Sequence, residues 1–384
     1  MAPSKHTLPA LGVVLLAVGV PLGLTTPPLG WLGVALVAAG LVLARPVVTA
    51  LAGRLDTGRW TAGWRDVLAL LVILALTRAL LGGGGLTERI VTGDHPAHFF
   101  KAWELSERFL PSGRIIGWSH SWYAGSPVGY LYPWIGDLII ALVNRLSFGL
   151  LDFDQSYALV FFGVVALSGW SVYRFGTALM GRGPALLAAA LFLTDAGWYR
   201  LGGFLYSIST GVWPQTLATA CAFLALARVP ELLNPPALVR RWRSVAWFAV
   251  HFGVSLLAHP ALLVFWPIVL LVLLATLALR KAPGWTEGAS RILLAVLVGS
   301  LIAAAWVLPF LDTREHAATL GAFWRTAYDV SAGLVDGTVL KGTLPSVVTL
   351  GFFGLVLLAR SPAPLARTAA LTALILTVLA TSAL

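Results

Sequence analysis

The sequence predicts an all-α membrane protein that crosses a bilayer many times, and three observations predict it. Of its 384 residues 58% are hydrophobic and only 11% are charged, against about 25% charged residues in a soluble globular chain. The apolar residues fall in runs of the length a bilayer span needs, about 20 residues. The arginines collect in short gaps between those runs, which is how topology is written and not how nucleic acid is gripped. The net charge of +10 is therefore assigned to membrane orientation. Membrane lipid is the expected partner, with no nucleic acid.

The elements follow in chain order. Leu8–Leu24 is expected to be a retained first span, because only Thr25-Thr26-Pro27-Pro28 follows it where a signal peptide would have a small-residue cleavage site. Leu29–Leu51 and Val67–Leu81 are the next two spans. Arg45, Arg54, Arg59 and Arg65 gather between them, which places that loop and the N-terminus in the cytoplasm. Gly82-Gly83-Gly84-Gly85 then breaks any helix on the outer side.

Trp134–Leu151 is long enough to resemble a span, but as a span it would put the later basic clusters outside. It also carries Asp137, Asn144 and Arg145 at helical spacing on one side, and is read as a juxtamembrane helix at the outer interface. Gln155–Thr177 and Pro184–Ala196 cross next. Val212–Ala227, Ser244–Ala258, Ala261–Leu279, Ile292–Leu311, Leu344–Ala359 and Leu365–Leu384 bring the total to about eleven spans.

Three regions result: N-terminal spans over 1–81, an outer segment with juxtamembrane helices over 82–154, and a transmembrane bundle over 155–384. The last span stops at Leu384 without a tail, as expected of a chain cut from something longer. No internal repeat supports a repeat-built transporter. Cys221, the single cysteine, lies in an apolar run and is assigned to packing. The preference for Ala, Leu, Gly and Arg over Lys points to a GC-rich bacterium, hence a bacterial inner membrane.

This topology sorts the polar residues. Asp94, His95, His98, Asp195, His259, Asp312, Glu315 and His316 all fall on the outer side, and ionisable groups held at a membrane boundary are candidates for function. In Thr92-Gly93-Asp94-His95-Pro96-Ala97-His98, Asp94 reads as an N-cap, as a general base at the mouth of the membrane domain, or as both. His95 and His98, with Asp94, could face a divalent metal, but they lack a fixed third-ligand spacing, so no metal is assigned and no cofactor is expected. Arg200 either neutralises Asp195 or holds a phosphate. His259-Pro260 either terminates a helix or contributes to a site. The aromatics between Gly117 and Trp134 read as an interfacial belt or as a sugar platform. There is no phosphate-binding glycine loop, nucleotide fingerprint or nucleophile elbow.

The acidic outer motif Thr92-Gly93-Asp94-His95-Pro96, followed by Tyr132-Pro133-Trp134 opening onto a juxtamembrane helix, resembles the GT-C fold glycosyltransferases. Those membrane enzymes take sugar from a polyprenyl-phosphate carrier. Gly93-Asp94-His95-Pro96-Ala97-His98, Gly211-Val212-Trp213-Pro214, Ala258-His259-Pro260 and Trp306-Val307-Leu308-Pro309-Phe310 look more closely like bacterial membrane proteins labelled pyruvoyl-tetrahydropterin synthase-related. The resemblance covers roughly Thr92 to Leu311. It implies a glycosyltransferase acting at the outer face with a polyprenyl-phosphate sugar donor. Asp94 would be the catalytic base, with His95, His98, Asp195, Arg200 and His259 contacting substrate. Where well-defined members pair two acids, His95 stands beside Asp94. A lipid or glycan transporter and a catalytically silent scaffold of the same fold are the alternatives.

Overall fold

Runs of Leu, Val, Ala and Phe with few interior charges satisfy their backbone polar groups within helices, as an apolar surrounding demands, and the computed structural model of the protein is built almost wholly of them. It describes residues 61–82, 92–122, 124–195, 207, 209–234, 238–280, 284–316, 355, 358–361 and 363–381. Met1–Ala75 and Leu76–Leu384 are separate compact units. Of the first unit the described residues are those of helix α1 (Thr61–Leu81) up to Ala75; the rest of α1 belongs to the second.

After the end of α1 the second unit goes on with α2 (His95–Glu104), which continues through a π turn over Leu105–Phe109 and a 3-10 turn over Leu110–Ser112. Gly113, at φ +71°, ends it. A two-stranded antiparallel hairpin follows, β1 (Gly117–Ser119) with β2 (Ser126–Val128), in register Trp118 to Pro127. Helix α3 (Ile135–Leu146) has 12 residues, about 18 Å of rise, well short of a bilayer core of about 30 Å. It is a separate short helix packed on α2 and its π turn, as its amphipathic pattern suggests.

The polar side of α3 faces the protein. Asp137 is buried, and Asn144 accepts from Ser106 Oγ at 3.2 Å, while Leu142 and Leu146 are exposed. The turn after it leaves Phe148, at φ +51°, and Leu150 almost fully exposed.

The remaining helices are α4 (Phe153–Met180), α5 (Arg182–Thr194), α6 (Trp213–Leu226), α7 (Val229–Leu233), α8 (Leu238–Ala258), α9 (Leu262–Arg280), α10 (Trp285–Thr313) and α11 (Pro364–Thr381). The capping box of Asp152 and Gln155 starts α4. Packing runs in a row: α5 on α4, α4 on α6, α6 on α8, α8 on α10, with α9 on α11. The α8–α10 crossing is close because both helices carry glycine there. A Cβ on Gly253 would lie 2.7 Å from the Gly299 carbonyl oxygen, and one on Gly299 would lie 2.6 Å from that of Ala249. Small residues allow this backbone approach where lipid offers no hydrophobic drive.

Phe153–Met180, Trp213–Leu233, Leu262–Arg280 and Trp285–His316 are long and apolar enough to cross a membrane. Each expected span from Val67 to Leu311 coincides with a helix, but α5 has only 13 residues, about 20 Å. Helix α8 also carries Arg241 and Arg243, and α1 carries Arg65, Asp66 and Arg78. Expected spans Leu8–Leu24 and Leu29–Leu51, and most of Leu344–Ala359, lie outside the described residues.

Chain direction gives the bundle two chemically distinct ends. Helices α4 and α6 start, and α8 and α10 finish, at the end occupied by α2, α3 and the hairpin. At the opposite end, Arg228 pairs with Glu231 at 3.3 Å and Arg291 donates to the Leu232 carbonyl at 2.7 Å. There too Arg280 donates to the Ser361 carbonyl and Arg367 to that of Ala359. Guanidinium groups there satisfy carbonyls at helix ends.

Candidate functional site

The site is built where two glycine turns cross. Gly93 (φ +56°) and Gly211 (φ +75°) both adopt left-handed backbone, and a Cβ on either would collide with the other segment, at Thr210 and at the Asp94–His95 backbone respectively. The Asp94 N–H donates to the Thr210 carbonyl at 2.8 Å. Only glycine tolerates both the torsion and the approach. The start of α2 is thereby fastened to the start of α6.

Asp94 occupies the N-cap position of α2, yet its side chain makes no cap hydrogen bond; its carboxylate is exposed while its carbonyl accepts from the His98 N–H at 3.1 Å. The simple capping reading thus does not describe its side chain. The next two candidates turn inward. His95 is fully buried, with Nδ1 2.8 Å from the Tyr157 hydroxyl of α4. The Trp213 indole of α6 donates to that same hydroxyl oxygen at 3.0 Å. An indole N–H only donates, so the Tyr157 oxygen accepts from Trp213 and through its contact with His95 ties α2, α4 and α6 together.

His98, also buried, donates from Nδ1 to Asp137 Oδ1 of α3 at 2.9 Å. Its ring lies 5.4 Å from Trp213 and 5.7 Å from Tyr132, and Tyr132 in turn meets His259 edge-on at 5.8 Å. His259 sits between α8 and α9. Its Nδ1 accepts from the Ala261 N–H at 3.2 Å. Burial, with His98 nearby as a secondary cause, holds its pKa down at about 4, so it is neutral at pH 7.

The structure therefore joins His95, His98 and His259 through Tyr157, Trp213 and Tyr132. Asp195 is placed by α5, as that helix's C-cap, where its N–H donates to the Leu191 carbonyl at 2.9 Å. Arg200 lies outside the described residues. Among the described residues, no group of three or more His, Cys, Asp or Glu comes together as a metal site.

Asp137 and Tyr157 were not among the expected site residues. Their signal was available: a carboxylate in an apolar helix is costly unless paired, and Asp137 has its pair in His98. Glu104 was also missed. It is fully buried, and its Oε1 accepts from Ser119 at 2.8 Å and Arg108 at 3.3 Å, tying α2 to the hairpin.

The arrangement is a rigid polar floor under an exposed carboxylate, at the ends of apolar helices. Such a site can accept a proton at Asp94 and orient a polar group against the neutral imidazole of His259. No protein-family model, curated protein or solved structure matches the chain.

Proposed function

We propose that the protein is a glycosyltransferase of the GT-C kind, moving a sugar from a polyprenyl-phosphate carrier to an acceptor hydroxyl at the outer face of a bacterial inner membrane. The observation that carries this reading is the Asp94 carboxylate. Backbone bonds, not its own side chain, hold it in place at the head of a helix anchored by His95 and His98. Asp94 takes the acceptor proton as the acceptor oxygen bonds to the anomeric carbon, and the bond from that carbon to the carrier phosphate breaks with its electron pair leaving on phosphate. Arg200 is assigned to that leaving phosphate, with Asp195 near it in sequence.

The fuller topology belongs to the same proposal: about eleven spans, with the N-terminus in the cytoplasm. Arg280, Arg291 and Arg367, which donate to helix-end carbonyls at the end of the bundle away from His95, His98 and His259, support it.

The test is transfer of radiolabelled sugar from polyprenyl phosphate by the full chain in lipid nanodiscs. Asp94→Asn is expected to lose at least about 100-fold in turnover, with thermal stability within about 1 kcal/mol of wild type because no cap bond is lost. Full turnover in the variant removes Asp94 as the base. The silent-scaffold reading draws on one observation, that His95 and His98 already have partners inside the protein. It predicts no turnover with any sugar carrier.

A further inference from the structure

The arginines at the end of the bundle away from His95, His98 and His259 are not all alike. Arg228 pairs with Glu231, and Arg280, Arg291 and Arg367 donate to backbone carbonyls. Arg243, near the start of α8, is exposed, and among the described residues no carboxylate pairs with it. Glu231, on the short helix α7 that packs against α8, already accepts from Arg228 and from Ser244.

Arg243 heads an exposed strip. Helical spacing puts Arg243, Ala246, Trp247 and Val250 on one face of α8, and all four are exposed, Trp247 by 42% and Val250 by 40%. Trp242, 54% exposed, flanks the strip on its other side. Ala246 is thus a small floor between two indoles, with a guanidinium toward one end and an apolar side chain toward the other. Trp247 is held in place by His251, one turn on, whose ring stacks on it at 5.5 Å and 26°. Arg240 stands three positions before Arg243 in the same helix.

Each part calls for one kind of chemistry. An unpaired guanidinium next to apolar surface attracts an anion, and its planar fork of donors suits phosphate. Exposed tryptophans settle at the level of lipid headgroups, where the ring is apolar and the N–H finds an acceptor. Ala246 and Val250 offer apolar surface alone. A free phosphate would leave the indoles and Val250 uncovered, and a zwitterionic lipid would bring its own ammonium against Arg243.

We propose that this face of α8 binds one anionic phospholipid, with its phosphate on Arg243, its glycerol esters against Trp242 and Trp247, and an acyl chain along Ala246 and Val250. The site lies about 25 Å along α8 from His259. It is separate from the Asp94 site and does not rest on the glycosyl-transfer reading.

The experiment is native mass spectrometry of the full chain in detergent, titrated with phosphatidylglycerol or with phosphatidylethanolamine of the same acyl chains. One phosphatidylglycerol is expected to bind at least about fivefold more tightly than phosphatidylethanolamine. Arg243→Gln is expected to weaken phosphatidylglycerol binding at least about fivefold and to abolish the rise in thermal stability that this lipid gives the wild type. Ala246→Trp fills the floor without changing charge and is expected to weaken both lipids. Arg360→Gln removes the same charge from another exposed arginine at that end of the bundle; it is the control and leaves affinity unchanged. All three positions are exposed, so thermal stability without added lipid is expected to match wild type. Three results overturn the proposal. Phosphatidylglycerol binds no more tightly than phosphatidylethanolamine, or Arg243→Gln and Arg360→Gln weaken it equally, as net charge alone would, or millimolar glycerol phosphate displaces the lipid, which marks a free-phosphate site.

Discussion

His98 donates to Asp137 at 2.9 Å in a place where both residues are almost wholly buried, and that contact ties α2 to α3. Both helices lie at the same end of the bundle as the exposed Asp94.

Breaking this pair is expected to be costly. Asp137→Ala leaves a buried imidazole N–H without an acceptor and should destabilise the protein by about 3 kcal/mol, while Asp137→Asn, which still accepts, should cost about half of that. Chemical denaturation of the purified protein in mild detergent measures both. Equal stability of Asp137→Ala and wild type would mean the pair does not hold α2 in place.

The crossing of Gly93 and Gly211 makes a sharper prediction. Alanine at either position adds a left-handed strain of about 1 kcal/mol to a steric collision with backbone, so the total should exceed about 2 kcal/mol. Cysteine cross-linking between residues 92 and 210 should fall in the same variants, because the turn that holds the two segments together is displaced.

His259 predicts a pH dependence. Its folded pKa, about 4, lies below the ordinary value of about 6.5, so between those values the unfolded chain binds more protons than the folded one. Stability from this group is therefore complete above about pH 6.5, falls as pH drops toward 4 and levels off below, a loss of at most about 3 kcal/mol. Protonation would also end the acceptance of the Ala261 N–H by Nδ1. His259→Asn is expected to flatten thermal stability across that window, whereas an unchanged slope would exclude His259 as the cause.

Gly253 and Gly299 bring α8 and α10 into backbone contact. Gly253→Leu should separate the helices and cost about 2–3 kcal/mol as overpacking, read as a fall in thermal stability. Leu at Gly183, with nothing near its Cβ position, is the control and should change stability by under about 1 kcal/mol.

Much of this was legible in the linear chain. The runs of apolar residues mark the helices from Val67 to Leu311, and the polar spacing of Asp137, Asn144 and Arg145 marks α3 as a short amphipathic helix. The motifs at Gly93 and Gly211 were visible as well, but nothing in either stretch says that the two glycines meet. Asp137 was read as the wet side of an interfacial helix. The structure turns it inward, because His98 and Asn144's partner Ser106 lie on that side and the apolar residues Leu142 and Leu146 face outward.

The sequence by itself determined that this is a helical protein suited to a membrane, with long apolar runs and charges set mostly between them. Apolar length and charge placement are one-dimensional properties, and transfer from water to lipid acts on each segment separately. Tertiary structure alone decided which polar groups share a site. The His95–Tyr157–Trp213 and His98–Asp137 contacts span 62, 56 and 39 positions, and a buried hydrogen bond depends on a distance that helix packing sets and local sequence does not.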